Sequence, residues 1–168
     1  MDEFDPNKRA DLDDQAAAAE RGEAHSLYKT ATNLGTTADN LRTMGFGVVS
    51  DALDQTADLA ANAAQKDMAE SQLYGDAADK WRTVSHDLDG QAKATGESYV
   101  ATAGHQTAEE LAGRATNDAD RIRWEMNAAG LEVAATDLQH QAAELGEDAQ
   151  RAAEAALAAE AKLLGTDQ

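Results

Sequence analysis

Apolar positions along this chain recur at steps of three and four, with no stretch that reads convincingly as a strand. Leu27, Ala31, Leu34, Ala38 and Leu41 step by four and three, and the leucines are seven apart. That spacing puts them on one face of a helix predicted to run from about Ala10 to Met44. A plain bundle helix and a short coiled-coil seam share this pattern. Residues 1–9 lie outside it, carry the single proline, Pro6, and read as a flexible acidic tail. Met44-Gly45-Phe46-Gly47 interrupts the rhythm. Two glycines around an aromatic predict a turn, with Phe46 plugging the tip of an antiparallel hairpin.

A second pattern starts at Val48 and runs through Val49, Leu53, Thr56, Ala60 and Ala63 or Ala64 to Met68. Tyr74-Gly75 marks a kink or short break. The rhythm resumes with Trp81, Val84, Leu88, Ala92, Thr95 and Tyr99 on one face, and Gly104 is the expected stop. Gly90 and Gly96 weaken this stretch. Thr107-Ala108-Glu109-Glu110 has the form of a capping box, which predicts the start of a third helix there. That helix carries Leu111, Ala115, Ile122, Met126, Ala129 and Val133, and continues through Leu138, Ala142 and Leu145. After Gly146 the run EDAQRAAEAALAAEAKLL is low in complexity and helical by propensity, anchored by Leu157, Leu163 and Leu164. It is either the end of the third helix or a short fourth one. No exact internal repeat is present. The expectation is an all-α fold: an antiparallel helical hairpin over 10–104, extended by a helical arm over 105–168 into a three- or four-helix bundle.

Composition narrows what such helices pack with. Leu, Ile, Val and Phe make up 23 of 168 residues, below the ~20% at which a highly charged chain resembles a disordered one. Alanine supplies most of the apolar fraction, and it favours helix while burying little area. Long helices with narrow seams follow, closely packed through alanine, rather than a thick core. Ordering of part of the chain only on binding is the alternative.

Thirty-two acidic residues against 14 basic ones give a formal net charge of -18. That argues against nucleic acid as a partner, since phosphate neutralisation needs Lys and Arg, and against anionic lipid. A basic partner suits it, as does a halophilic proteome. Without cysteine there is no disulfide, thiol chemistry or Cys-ligated metal. No run of 18 apolar residues offers a membrane span. MDEFDPNKR lacks the basic start and apolar stretch of a Sec signal.

A search for catalytic groups finds none that converge. His25, His86, His105 and His140 form no HExxH and no Glu-x-x-His pair. Asp137 and His140 are three apart, a lone pair read as solvated. Ser85, His86 and Asp87 are consecutive and point in different directions on a helix. The reading is non-enzymatic, with no metal or cofactor. Trp81 sits on the seam of the second helix and reads as core. Trp124 lies two residues past the seam residue Ile122, so with Arg121 it is the candidate partner contact. Leu27, Leu34, Leu41, Phe46 and Tyr99 complete the candidate seam and contact residues. The expected partner is protein: a homo-oligomer or a similar helical chain.

One resemblance goes further. An amphipathic helix leads to Gly45-Phe46-Gly47-Val48-Val49, and a second helix carries Trp81 followed by DLDGQAKATGESYVATAG with Tyr99 near its end. From about Leu27 to Gln106 this resembles the helical-hairpin substrates of actinobacterial type VII secretion, the WXG100 and EspC-like proteins. The resemblance implies an exported helical protein, dimeric or paired with a similar chain, acting as an effector, targeting partner or envelope component. The sequence departs from the family in two motifs. Trp81 is followed by Arg82-Thr83, not by a WXG turn. Ala103, Ala78 and Thr32 stand four residues after Tyr99, Tyr74 and Tyr28, where YxxxD/E requires an acid. The alternative is an intracellular or viral scaffold that oligomerises through helical seams.

Overall fold

Alanine accounts for 39 of the 168 residues, and it loses less than any other residue on entering a helix. The computed structural model describes residues 4–166. They form three helices, α1 (Pro6–Thr43), α2 (Gly47–Arg114) and α3 (Asp118–Thr166), with no strand among the described residues.

Helix ends are set by local chemistry. Asp5 Oδ1 accepts from the backbone N–H of Asn7 at 3.0 Å and Lys8 at 3.4 Å, and Pro6 opens the helix where its missing N–H costs nothing. Part of the expected 1–9 tail is therefore helix, while residues 1–3 lie outside the described residues. At the other end of α1, Gly45 takes φ +89°. Its N–H donates to Arg42 O at 3.1 Å and that of Phe46 to Leu41 O at 3.0 Å. These two bonds form a Schellman motif, so the predicted turn is present.

The expected stop at Gly104 is not. α2 continues to Arg114, and the Thr107 hydroxyl donates back to Ala103 O at 2.9 Å inside the helix instead of capping one. The break falls at 115–117. There Asn117 Oδ1 accepts from Asp120 N at 2.9 Å and Asn117 Nδ2 donates to Asp120 Oδ2 at 2.7 Å. Asp118 and Asp120 place negative charge at the positive end of α3. No break divides α2 at Tyr74-Gly75, and residues 147–166 continue α3 rather than forming a fourth helix.

Two compact units divide the chain. One takes the residues up to Arg82 with those from Glu154 on, and the other is Thr83–Ala153. This differs from the expected split into 10–104 and 105–168. Trp81, Asp13 and Ala77 are buried in the first unit, Trp81 as its seam position predicts, beside a line of small residues: Ala10, Ala17, Ala24 and Ala38 on α1, Ser50, Ala64, Ser71 and Ala78 on α2. Within each set the spacing is seven or fourteen. Ser71 Oγ donates to Ala17 O at 3.0 Å, which a two-atom side chain achieves only between closely approached backbones. Leu27, Leu34, Leu41 and Leu53 are half-buried beside this line. The large residues thus flank the seam that the sequence pattern assigned to them. Phe46 is 57% exposed at the turn rather than a plug.

Candidate functional site

In the second unit, residues 83–114 of α2 pair with residues 118–153 of α3. The inner face of α3 carries Trp124, Ala128, Leu131, Ala135, Leu138, Ala142, Leu145 and Ala149, alternating steps of four and three. Its alanines are buried, and its Trp and Leu residues are half-buried. Facing them, α2 buries Ala94, Ser98, Ala101 and Ala108. A Cβ on Gly90 would stand 3.1 Å from Leu145 Cδ1, and one on Gly104 3.2 Å from Leu131 Cδ1. These glycines are holes for leucine knobs, which is why α2 keeps them inside a helix. Ser98 Oγ donates to Ala135 O at 3.2 Å. His105 Nδ1 lies 2.9 Å from Ala128 O, so Nδ1 carries the proton and donates. Tyr99, expected on this seam, is 73% exposed, and Leu88 is exposed too. Helices in such close contact cover the small residues and leave these two large ones at the margin, while Val84 of the same predicted face is buried.

α3 has a second apolar face. Ile122, Met126, Ala129 and Val133 again step by four, three and four. At about 100° per residue they lie opposite the inner seam. Ile122 is 51%, Met126 71% and Val133 59% exposed, and Ala119 and Ala129 are exposed as well. No described residue covers this outer seam. One flank carries Asp118, Glu125 and Glu132, and the other Arg123, Gly130 and Asp137. Arg121 bridges Asp118 at 2.8 Å and Glu125 at 3.8 Å. A helix apolar on two opposite faces is suited to a neighbour on each.

This reverses one sequence expectation. Trp124 belongs to the inner seam, where it is half-buried and lines a groove of about 530 Å³ with Thr107, Leu111, Met126 and Leu131. Ile122, taken as the inward residue, points outward. Both readings obey the same spacing, and the phase that buries Ala128, Ala135, Ala142 and Ala149 won. Arg121 is exposed and occupied by its own helix.

The first unit holds the densest polar cluster. Glu160 Oε2 accepts from Arg9 Nη2 at 2.7 Å, and Oε1 accepts from Arg9 Nε at 3.1 Å and from Trp81 Nε1 at 2.8 Å. Phe4 meets the Trp81 ring edge-on, with centroids 5.2 Å apart. Asp13 is buried beside them, and its Oδ2 has no hydrogen-bond partner. Burial, with the neighbouring Glu160 charge, pushes the Asp13 carboxyl above the usual range. Burial also pushes Glu160 up, but its bonds from Arg9 and Trp81 outweigh that and hold it below the usual range. Both carboxylate oxygens of Glu160 are engaged in holding three helices together. The cluster is a structural clamp.

Elsewhere in that unit, Glu20, Asp67 and Glu70 bring one carboxylate oxygen each within 4.8 Å of one another. Burial and the Glu70 charge raise the Glu20 carboxyl. Lys66 Nζ stands 3.4 Å from Glu70.

Among the described residues no helix is long and apolar enough to cross a membrane. Comparison with family models, with curated proteins and with solved structures found no match.

Proposed function

We propose that this chain is a non-enzymatic interaction protein that binds a helical protein partner through α3, and that it serves as a substrate of a type VII secretion system or as the partner of one. The observation that carries the interaction reading is the outer seam of Ile122, Met126 and Val133, more than half exposed on a helix whose opposite face is already occupied. Exposed leucines scattered singly are ordinary, but a row in helical register is the form in which one helix receives another. The secretion reading rests on the hairpin turn at Gly45-Phe46-Gly47 and on the resemblance carried by 27–106. The YxxxD/E motif is missing from these 168 residues, and a partner that carries one would supply the export signal.

The test is fractionation of a tagged copy in its native host, with and without the secretion ATPase. ATPase-dependent appearance in the medium, lost in Met126→Asp along with the co-purified partner, is the expected result. Retention of a complex inside intact cells would replace secretion by an assembly role. Absence of any Met126-dependent complex would remove the interaction reading itself.

A further inference from the structure

We infer that the occupant of the α3 outer seam is an amphipathic helix of a different protein with lysine or arginine along its flank, rather than a second copy of this chain. The inference rests on the interaction reading above and assigns the partner's chemistry. In helix pairing, the residues flanking an apolar seam select the partner, because they face the partner's own flanks. Extended over 119–140, the seam runs Ala119, Ile122, Met126, Ala129, Val133, Thr136 and His140, polar by its end. Its flanks hold four carboxylates, Asp118, Glu125, Glu132 and Asp137, and one cation, Arg123. Arg121, outside the flank, already spans Asp118 and Glu125. Glu132 and Asp137 have no ion pair among the described residues.

A second copy fits these flanks poorly. Two copies aligned antiparallel would set the Asp118, Glu125 and Glu132 row against itself. Aligned parallel, they would bring Asp118 to Arg123 but Glu132 to Asp137, one favourable contact against one unfavourable. A basic flank faces a carboxylate at four of the six flank positions and a like charge only at Arg123. The chain's charge of -18 adds the same preference at longer range, repelling its own copy and drawing in a cationic one.

The experiment uses the full chain and two synthetic helical peptides about three heptads long, alike in their apolar seam, one flanked by lysine and one by glutamate. An acidic protein attracts any cationic peptide, so the variants carry the test. Met126→Asp and Glu132→Lys lie on the seam and its flank. Asp58→Lys makes the same charge change as Glu132→Lys on an exposed site of the other unit. All three replace exposed side chains, and helical circular dichroism confirms each fold.

Wild type should bind the lysine peptide at least about tenfold more tightly than the glutamate peptide, more so at low salt. Met126→Asp and Glu132→Lys should each weaken that binding at least about tenfold, and Asp58→Lys by no more than about twofold. If Met126→Asp weakens it no more than Asp58→Lys does, the seam is not a docking surface and the interaction reading falls with the inference. If both peptides bind equally, and Met126→Asp weakens both, the docking surface stands and its basic specificity is overturned. If the chain alone forms a dimer that Met126→Asp dissociates, the occupant is a second copy.

Discussion

Trp81 donates its indole N–H to Glu160 Oε1 at 2.8 Å, across 79 positions of sequence, and the same carboxylate holds the Arg9 guanidinium. One half-buried acid thus ties together the start of α1, the middle of α2 and the end of α3. Glu160→Gln keeps the shape but removes the charge that strengthens all three bonds. It should destabilise the first unit by about 2–3 kcal/mol. Trp81→Phe removes one bond and should cost about 1–2 kcal/mol. Urea unfolding of the two variants measures both.

The same cluster predicts an unusual pH profile. Glu160 has a lowered folded pKa, so its stabilising contribution is present above the ordinary Glu range and is lost as pH falls through the folded value. Asp13 has a raised folded pKa. Its contribution is full below the ordinary Asp range and is lost as pH rises through the folded value. Stability of the first unit should therefore rise on mild acidification from neutral and fall again in stronger acid. Asp13→Asn should raise the neutral-pH melting temperature and abolish the mild-acid gain, leaving the loss in stronger acid. A thermal scan at a series of pH values checks each limb.

Gly96 and Gly104 lie in the same helix and should respond oppositely to alanine. A Cβ at Gly96 meets nothing within 4 Å, so Gly96→Ala should stabilise by about 0.5–1 kcal/mol through helix propensity. At Gly104 the Cβ would stand 3.2 Å from Leu131 Cδ1, and the propensity gain should vanish into displacement of that leucine. Matched thermal melts decide it.

The alanine seam makes an equally sharp comparison. Ala24 is 0% exposed between close backbones. Ala24→Leu should cost about 1–3 kcal/mol by overpacking. Leu34, only half-buried, should cost about 1–2 kcal/mol when cut to Ala. A larger loss at Leu34 than at Ala24 would mean that the leucines, not the alanines, form the contact.

Local rules made the helices and the first turn legible in the sequence. Alanine content, the step of three and four, and Gly45 after a helical run are each read within a few residues. The seams were harder, because both phases of α3 satisfy the same spacing. Leucine, isoleucine and tryptophan drew the eye, while the buried line runs through alanine and serine. Size explains this: only small residues fit beneath two backbones in contact, so most of the leucines end at the margin. Tyr99 is exposed for that reason, whereas Trp124 turns inward in the other of the two phases of α3 that satisfy one spacing. The Glu160 clamp left no local trace. In AAEAALAAEAKLL a glutamate reads as a solvated one, and its partners stand 79 and 151 positions away. The outer seam was visible as a pattern, but only the occupied inner face shows that it is left over.

The most direct test of that claim is a photo-crosslinking scan along α3 in the native host, with one photoreactive residue at each position from 119 to 133. Adducts to one partner protein are expected at 122, 126, 129 and 133, and none at 124, 128 or 131, which face α2. Adducts at the inner positions, or an even spread without the three-four rhythm, would contradict it.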